Sequence, residues 1–207
     1  MVRGFALVAL LGGCGFSIDV GDNTAAGDAR VDMSMAPDSD PDAPKIVCPT
    51  SYRVIGTGTY TVLEPTNFRA HVAACASHGT HLAVIDNAQE VVDLIAFGKT
   101  VVGVNTNSRF YIGLLQGPMQ ANPDDSWIDL QDRDANAELW ATSGGTNEPN
   151  DGPDDNENNH QEQVGALQLD RDAIVDLSSG ENVRAYCECD GIPVGPKATG
   201  YLAAPNL

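Results

Sequence analysis

The segment from Trp140 to Asn159 concentrates side chains that can act as oxygen ligands. The candidate ligands are its acidic residues and Asn150, with one carboxylate just beyond the segment: Glu148, Asn150, Asp151, Asp154, Asp155, Glu157 and Glu162. Carboxylates are rarely buried without a partner, and so many on one loop repel one another unless a cation or water screens them. Oxygen donors suit Ca²⁺, which takes about 6–8 of them. The segment therefore indicates either a calcium site or an acidic loop solvated at the surface.

Two helices are predicted before this segment. Thr66 or Asn67 can cap the first helix. Asp86 and Gln89 have the spacing of a capping box at the start of the second helix, which is expected to stop near Gly98.

Short strands account for most of the remaining pattern. They are predicted at residues 52–55, 59–62, 81–85, 110–114, 127–130, 165–169, 173–177 and 183–187. Helices early in the chain and strands late in it are typical of an α+β fold rather than of alternating βαβ units. We expect two helices packed on short, mostly antiparallel strands, with a long irregular acidic loop.

The charge balance of the chain limits its partners. The 207 residues carry a formal net charge of −18, which argues against binding of nucleic acid through basic patches. No nucleophile elbow, P-loop, dinucleotide-binding fingerprint or HExxH motif occurs in the sequence. A pair of carboxylates such as Glu148 and Glu162 can in principle act on glycosides, but nothing else in the sequence supports catalysis.

Residues 1–14 have the pattern of an export signal. A short basic start precedes the apolar stretch FALVALL, which is too short to span a bilayer. The sequence LGGC that ends at Cys14 resembles a bacterial lipobox, in which the cysteine becomes lipid-modified. The alternative is an ordinary signal peptide with a chance cysteine. The lipobox predicts a protein anchored at the bacterial cell envelope that faces the periplasm or the exterior.

The rest of the chain divides by composition. Residues 15–45 are rich in Asp, Ala and Pro and predict a flexible tether. Residues 46–190 contain the predicted helices and strands and form one domain. Residues 191–207 are rich in Gly, Pro and Ala and are expected to be a loose C-terminal tail.

The residues from Cys48 to Cys189 resemble a C-type lectin-like domain. The matching features follow the order of the family: Phe68 and Cys75 in the first helix, HLAVI at 81–85 followed by Glu90, YIGL at 111–114 in place of WIGL, Trp127, Trp140 with the triplet Glu148-Pro149-Asn150, and the closing Tyr186-Cys187-Glu188. The resemblance implies the family's α+β fold and a role as a binding module.

Two features depart from the family pattern. Val164 and Ser179 occupy the positions of the family's second disulfide, so both of its cysteines are absent together. The WND triplet reads Ile174-Val175-Asp176, and valine offers no side-chain ligand where the family has an asparagine.

The resemblance implies a Ca²⁺ ion that also binds two vicinal sugar hydroxyls. The implied metal ligands are Glu148, Asn150, Glu162 and Asp176, with Glu157 as an alternative to Glu162. The implied sugar-binding residues are Glu148, Asn150 and Asp151, next to a cis Pro149. In the family, the Glu-Pro-Asn order accompanies mannose- or glucose-type sugars. Because one ligand is missing, we expect weak calcium affinity, on the order of 10⁻⁴–10⁻³ M.

Four cysteines remain once Cys14 is set aside, and they allow three pairings. The resemblance implies a Cys75–Cys187 disulfide, which leaves Cys48–Cys189 as the second. A redox or metal-binding role for the C-x-C pair is the alternative interpretation.

The histidines give a weaker signal. His78 and His81 have H-x-x-H spacing, but no third ligand is nearby in the sequence, so we interpret them as structural or solvated. His71 falls on the first helix, and His160 lies in the acidic segment, where it could make that segment sensitive to pH.

Taken together, these patterns predict a binding module and not an enzyme. The predicted function is weak, calcium-dependent recognition of a mannose- or glucose-type glycan or surface polysaccharide. The alternative is a calcium-independent lectin-like scaffold that recognises protein and has no sugar site.

Overall fold

The computed structural model describes residues 47–103, 108–118, 125–135, 137–140, 148–149, 162–205 and 207. The elements in chain order are β1 (Arg53–Ile55), β2 (Gly58–Thr66), α1 (Phe68–Ser77), β3 (His81–Leu82), α2 (Ala88–Val102), β4 (Arg109–Gln116), β5 (Trp127–Asp129), a 3₁₀ turn (Ala137–Leu139), β6 (Val164–Gln168), β7 (Ala173–Leu177), β8 (Val183–Glu188) and α3 (Pro196–Leu202). Within these residues, no helix combines the length and the apolar character needed to cross a membrane.

Side-chain caps fix where the first two helices begin. The Asn67 side chain accepts a hydrogen bond from the Ala70 amide and starts α1, as one of the two predicted caps. Helix α2 begins one residue later than predicted, because Asn87 rather than Asp86 is its cap and accepts from the Glu90 amide. Glu90 in turn accepts from the amide of Asp86, the residue just before the cap.

Helix α2 also runs past Gly98, where the sequence predicted its end. Gly98 is buried, and a Cβ at this position would come within 2.5 Å of the Tyr186 hydroxyl. The glycine therefore permits the helix to approach β8 closely instead of ending it. The helix ends at Gly103, whose φ of 75° lies in the left-handed region that favours glycine.

The strands form one mixed sheet in the order β1-β2-β8-β4-β6-β7, with β3 also paired to β8 and β5 to β4. All described pairings are antiparallel except that between β4 and β8. Strand β8 thus lies inside the sheet, where it pairs with β2, β3 and β4 from the first half of the domain. The α+β arrangement agrees with the fold class that the sequence predicted.

Alternation along β4 separates the core into two clusters, because successive side chains point to opposite faces of a sheet. Tyr111 and Leu115 pack with α1, whereas Phe110, Ile112 and Leu114 pack with α2. Gly113 carries no side chain where the Leu82 carbonyl passes, only 2.7 Å from a Cβ placed there.

Two disulfides join the strands to the first helix and to the start of the domain. They are Cys48–Cys189 and Cys75–Cys187, the pairing that the resemblance implied. Val164, at one position of the disulfide that the chain lacks, is fully buried in the cluster next to α1. Apolar packing therefore replaces the cross-link there.

The C-terminal segment differs from the loose tail predicted for residues 191–207. Pro196–Leu202 form α3, and Ala198 is fully buried in the core. The carboxylate of Asp132 accepts from the amides of Lys197 and Ala198, and so caps α3 from another part of the chain. Arg69 on α1 donates to the carbonyls of Leu202, Ala204 and Leu207. Composition could not predict these contacts, because both anchoring side chains are distant in sequence.

Candidate functional site

Glu148 is held by an internal cation. Arg171, in the turn between β6 and β7, places Nη1 2.5 Å from Glu148 Oε1. The Glu148 side chain is only 6% exposed, compared with 30% for Arg171. The Glu148–Pro149 peptide bond is cis, as the resemblance implied. The guanidinium therefore neutralises the carboxylate that the sequence assigned to calcium.

Several predicted ligands lie outside the described residues. These are Asn150, Asp151, Asp154, Asp155 and Glu157, and their assignment to calcium or sugar binding therefore remains a prediction. His160 also lies outside the described residues, so the pH sensitivity expected of it remains a prediction as well.

Glu162 and Asp176 lie at the end of the β6–β7 hairpin opposite its turn. Glu162 is two residues before β6, and Asp176 pairs with Gly165 across the ladder. Asp176 is 4% exposed and shares a strand face with Ile174, which belongs to the core cluster next to α2. Val175 points to the opposite face and is buried in the cluster next to α1. The valine at the family's asparagine position is thus part of the core.

A cavity of about 400 Å³ adjoins Glu148. Among the described residues its lining combines two indole rings with polar side chains: Ser126, Trp127, Asp134, Ala135, Trp140, Glu148 and Pro149. The two tryptophans meet edge to face, with ring centroids 4.8 Å apart. Apolar walls with a few well-placed polar groups are typical of small-ligand sites.

A neighbouring cavity of about 220 Å³ shares Asp134, Ala135 and Trp140 with the first one. Its walls include the apolar side chains of Ile112 and Leu114. Arg133, which also lines it, forms ion pairs with Asp86 and Asp129 at 2.7 Å and 2.6 Å. The two cavities are therefore adjacent, and the second one is the more apolar.

For calcium, the described residues supply suitable ligand chemistry but do not form a ready-made site. Carboxylate oxygens are the ligands that calcium prefers. However, Glu148 faces Arg171, and Glu148, Glu162 and Asp176 do not form a group whose ligand atoms all lie within 4.8 Å of one another. A calcium ion at Glu148 would therefore have to displace the guanidinium.

The structure also shows a polar cluster that the sequence analysis missed. Ligand atoms of His81, Glu188 and Asp190 all lie within 4.8 Å of one another, the one group of this kind among the described residues. The H-x-x-H pattern drew attention to His81, but the two carboxylates are more than a hundred positions away. Alternation in Glu188-Cys189-Asp190, which puts both carboxylates on one side of the chain, is the signal that could have indicated them.

Burial raises the pKa of two carboxyl groups close to β8. It raises the pKa of Glu188 to about 7, an effect opposed by a hydrogen bond from the Val84 amide and enhanced by the nearby charges of Glu90 and Asp190. Burial likewise raises the pKa of Glu90, whose Oε1 accepts a 2.5 Å hydrogen bond from the Tyr60 hydroxyl. Two carboxyl groups on this side of the sheet are thus removed from water.

Comparison with known proteins identifies the fold. No protein-family model matches the chain, and no curated protein sequence matches it either. Among solved structures, the C-type lectin CEL-I from Cucumaria echinata is 17% identical with a TM-score of 0.54, covering 68% of this chain and 96% of that one. The mouse scavenger receptor C-type lectin carbohydrate-recognition domain is 20% identical with a TM-score of 0.52, covering 69% and 97%.

A third similar structure was determined in the presence of an oligosaccharide. It is the cow C-type carbohydrate-recognition domain of CD23 in the presence of a GlcNAc2Man3 oligosaccharide, 18% identical with a TM-score of 0.51, covering 70% of this chain and 96% of that one. At these identities the likeness establishes the fold. The described part of the chain therefore has the fold of a C-type lectin-like domain.

Proposed function

We propose that this domain is a carbohydrate-binding module that uses the cavity next to Glu148. The observation that carries the proposal is the lining of this cavity, where a buried carboxylate lies beside two tryptophans and Asp134. A carboxylate accepts hydrogen bonds from sugar hydroxyls, and aromatic rings pack against the apolar parts of a sugar. Similar folds named as carbohydrate-recognition domains support the same function.

Calcium is proposed as a weak cofactor. Glu148, Asn150, Glu162 and Asp176 would supply oxygen ligands, and a bound ion would supply coordination for two sugar hydroxyls. Arg171 competes for Glu148 and Val175 offers no ligand, so we expect dissociation constants on the order of 10⁻³ M.

Glycan array binding of the full chain, with calcium and with a chelator, tests this function. We expect binding of mannose- or glucose-type glycans that the chelator weakens and that Glu148→Gln abolishes. Absence of binding to any glycan in either condition would contradict the proposal. Turnover of a chromogenic glycoside would instead indicate an enzyme.

The Arg171–Glu148 ion pair favours a second candidate, a scaffold that recognises protein without calcium. The Arg171 guanidinium holds the Glu148 carboxylate without a metal ion. A thermal melt separates the two candidates, because calcium that binds the folded state raises its midpoint by mass action. No shift at millimolar calcium would favour the second candidate.

We also propose that the module is displayed at the bacterial cell envelope through Cys14, with residues 15–45 as its tether. The substitution Cys14→Ser should release the protein from the membrane fraction. Unchanged retention would count against the lipid anchor.

A further inference from the structure

Strand pairing brings a histidine and two carboxylates together at one end of the sheet. In the β3–β8 ladder His81 lies directly opposite Glu188, so their side chains emerge side by side. Asp190 follows two residues after Glu188 on the same side of the chain. The side chains of His81 and Asp190 are 4% and 22% exposed, so the cluster is reached from solvent past Asp190.

The imidazole of His81 has a fixed orientation. Its Nδ1 lies 2.8 Å from the Leu82 carbonyl, which can only accept, so Nδ1 carries a proton and donates. Its Nε2 lies 2.9 Å from Asp190 Oδ1, which is also an acceptor. A positive centre, either a proton or a metal ion, is therefore required between Nε2 and the carboxylate. A backbone carbonyl on Nδ1 is the usual partner of a histidine that binds metal through Nε2.

Outer hydrogen bonds hold both carboxylates in place. Asp190 accepts from the Ile192 amide at 2.8 Å and from Gln131 Nε2 at 3.0 Å. Glu188 Oε2 accepts from the Val84 amide at 2.9 Å. A carboxylate has about four lone-pair sites, so these bonds orient the groups and leave oxygen lone pairs for an ion.

We propose that His81, Glu188 and Asp190 bind a divalent transition-metal ion of the zinc class. One nitrogen and two carboxylate oxygens suit Zn²⁺, whereas calcium prefers oxygen ligands alone. Bond lengths of about 2.0–2.2 Å to Zn²⁺ place tetrahedral ligands about 3.3 Å apart. The 2.9 Å between His81 Nε2 and Asp190 Oδ1 needs to widen by only a few tenths of an ångström. Water takes the fourth position.

The test is titration of the metal-free full chain with Co²⁺ in millimolar calcium, followed by displacement with Zn²⁺. We expect Co²⁺ to give a visible absorption band of a low-coordinate site, and Zn²⁺ to remove the band and raise the thermal midpoint. Asp190→Asn should weaken binding by at least about 10–100-fold, and Gln131→Leu, which only orients Asp190, by about 10-fold. His81→Gln should abolish the band.

Controls distinguish this site from other histidines and from the calcium proposal. His78→Gln changes an exposed histidine next to the site in sequence, and His160→Gln changes one in the acidic segment. Both variants, and Glu148→Gln, should bind Co²⁺ like the unmodified chain. Far-ultraviolet circular dichroism checks that each variant is folded. If His81→Gln is not folded, the metal affinity of Asp190→Asn tests the site instead. No band, undiminished binding in Asp190→Asn, or loss of the signal in His160→Gln would overturn the proposal.

Discussion

The ion pair between Arg171 and Glu148 should contribute to the free energy of unfolding, because it compensates a carboxylate that is removed from water. The substitution Arg171→Met keeps much of the apolar stem but removes the guanidinium that faces Glu148. Breaking a fully buried pair costs about 3–5 kcal/mol. Because the Arg171 side chain is 30% exposed, water screens part of the interaction, and we expect a loss of about 1–3 kcal/mol in the free energy of unfolding.

Denaturant unfolding of the full chain in a chelator measures this loss. A change of 2 kcal/mol corresponds to a decrease of about 4–8 °C in the melting midpoint for a domain of this size. Lys99→Met is the matched control, because Lys99 pairs with Asp172 in the same turn and Asp172 is 66% exposed. A surface pair of this kind contributes about 0–1 kcal/mol.

Calcium gives the same variant a second readout. Removing Arg171 removes the competitor for Glu148, so calcium should stabilise Arg171→Met more than the unmodified chain. A concentration ten times the dissociation constant adds about 1.4 kcal/mol. The double variant Arg171→Met/Glu148→Gln should lose this response. If the free energy of unfolding of Arg171→Met lies within about 0.5 kcal/mol of that of the unmodified chain, with and without calcium, the guanidinium neither stabilises Glu148 nor competes with calcium.

Three further predictions concern the framework of the domain. Replacing Cys75 and Cys187 by alanine removes a cross-link with a sequence separation of 112 and should cost about 3–5 kcal/mol in the chain-entropy account. Because Cys48–Cys189 stays closed in this variant, it should still unfold at a higher midpoint than the chemically reduced unmodified chain, which loses both bridges; a loss below about 1 kcal/mol would contradict the entropic account. Gly113→Ala should destabilise the domain by about 1–3 kcal/mol, because its Cβ would collide with a carbonyl of β3. Gly200→Ala, in open space on α3, should be neutral or stabilise by up to about 1 kcal/mol, and equal effects of the two substitutions would contradict the packing argument. Arg69 donates to carbonyls in and after α3. Arg69→Gln should therefore increase the rate of hydrogen exchange of the α3 amides while leaving the β8 amides protected. Unchanged exchange in α3 would show that Asp132 and core packing are enough to hold the helix.

The sequence predicted the elements whose signals are local. Periodicity and a polar cap placed α1, and short, largely apolar runs placed β4 and β7 close to their observed bounds. The predicted bounds were wrong where a residue has two possible roles. Gly98 can end a helix or permit close packing, and the Tyr186 hydroxyl on the facing strand decided for packing.

Local patterns in the sequence suffice to predict the α+β fold class and the segments that carry oxygen ligands, because turn chemistry, hydrophobic periodicity and composition act over a few neighbouring residues. Which charges meet depends on the fold. Folding pairs Glu148 with Arg171, and it brings His81 beside Glu188 and Asp190 through the β3–β8 ladder. It also orders the C-terminal helix through Asp132 and Arg69. In each case the two partners come from distant parts of the chain, and strand register and core packing, which no local pattern encodes, set the distance between them.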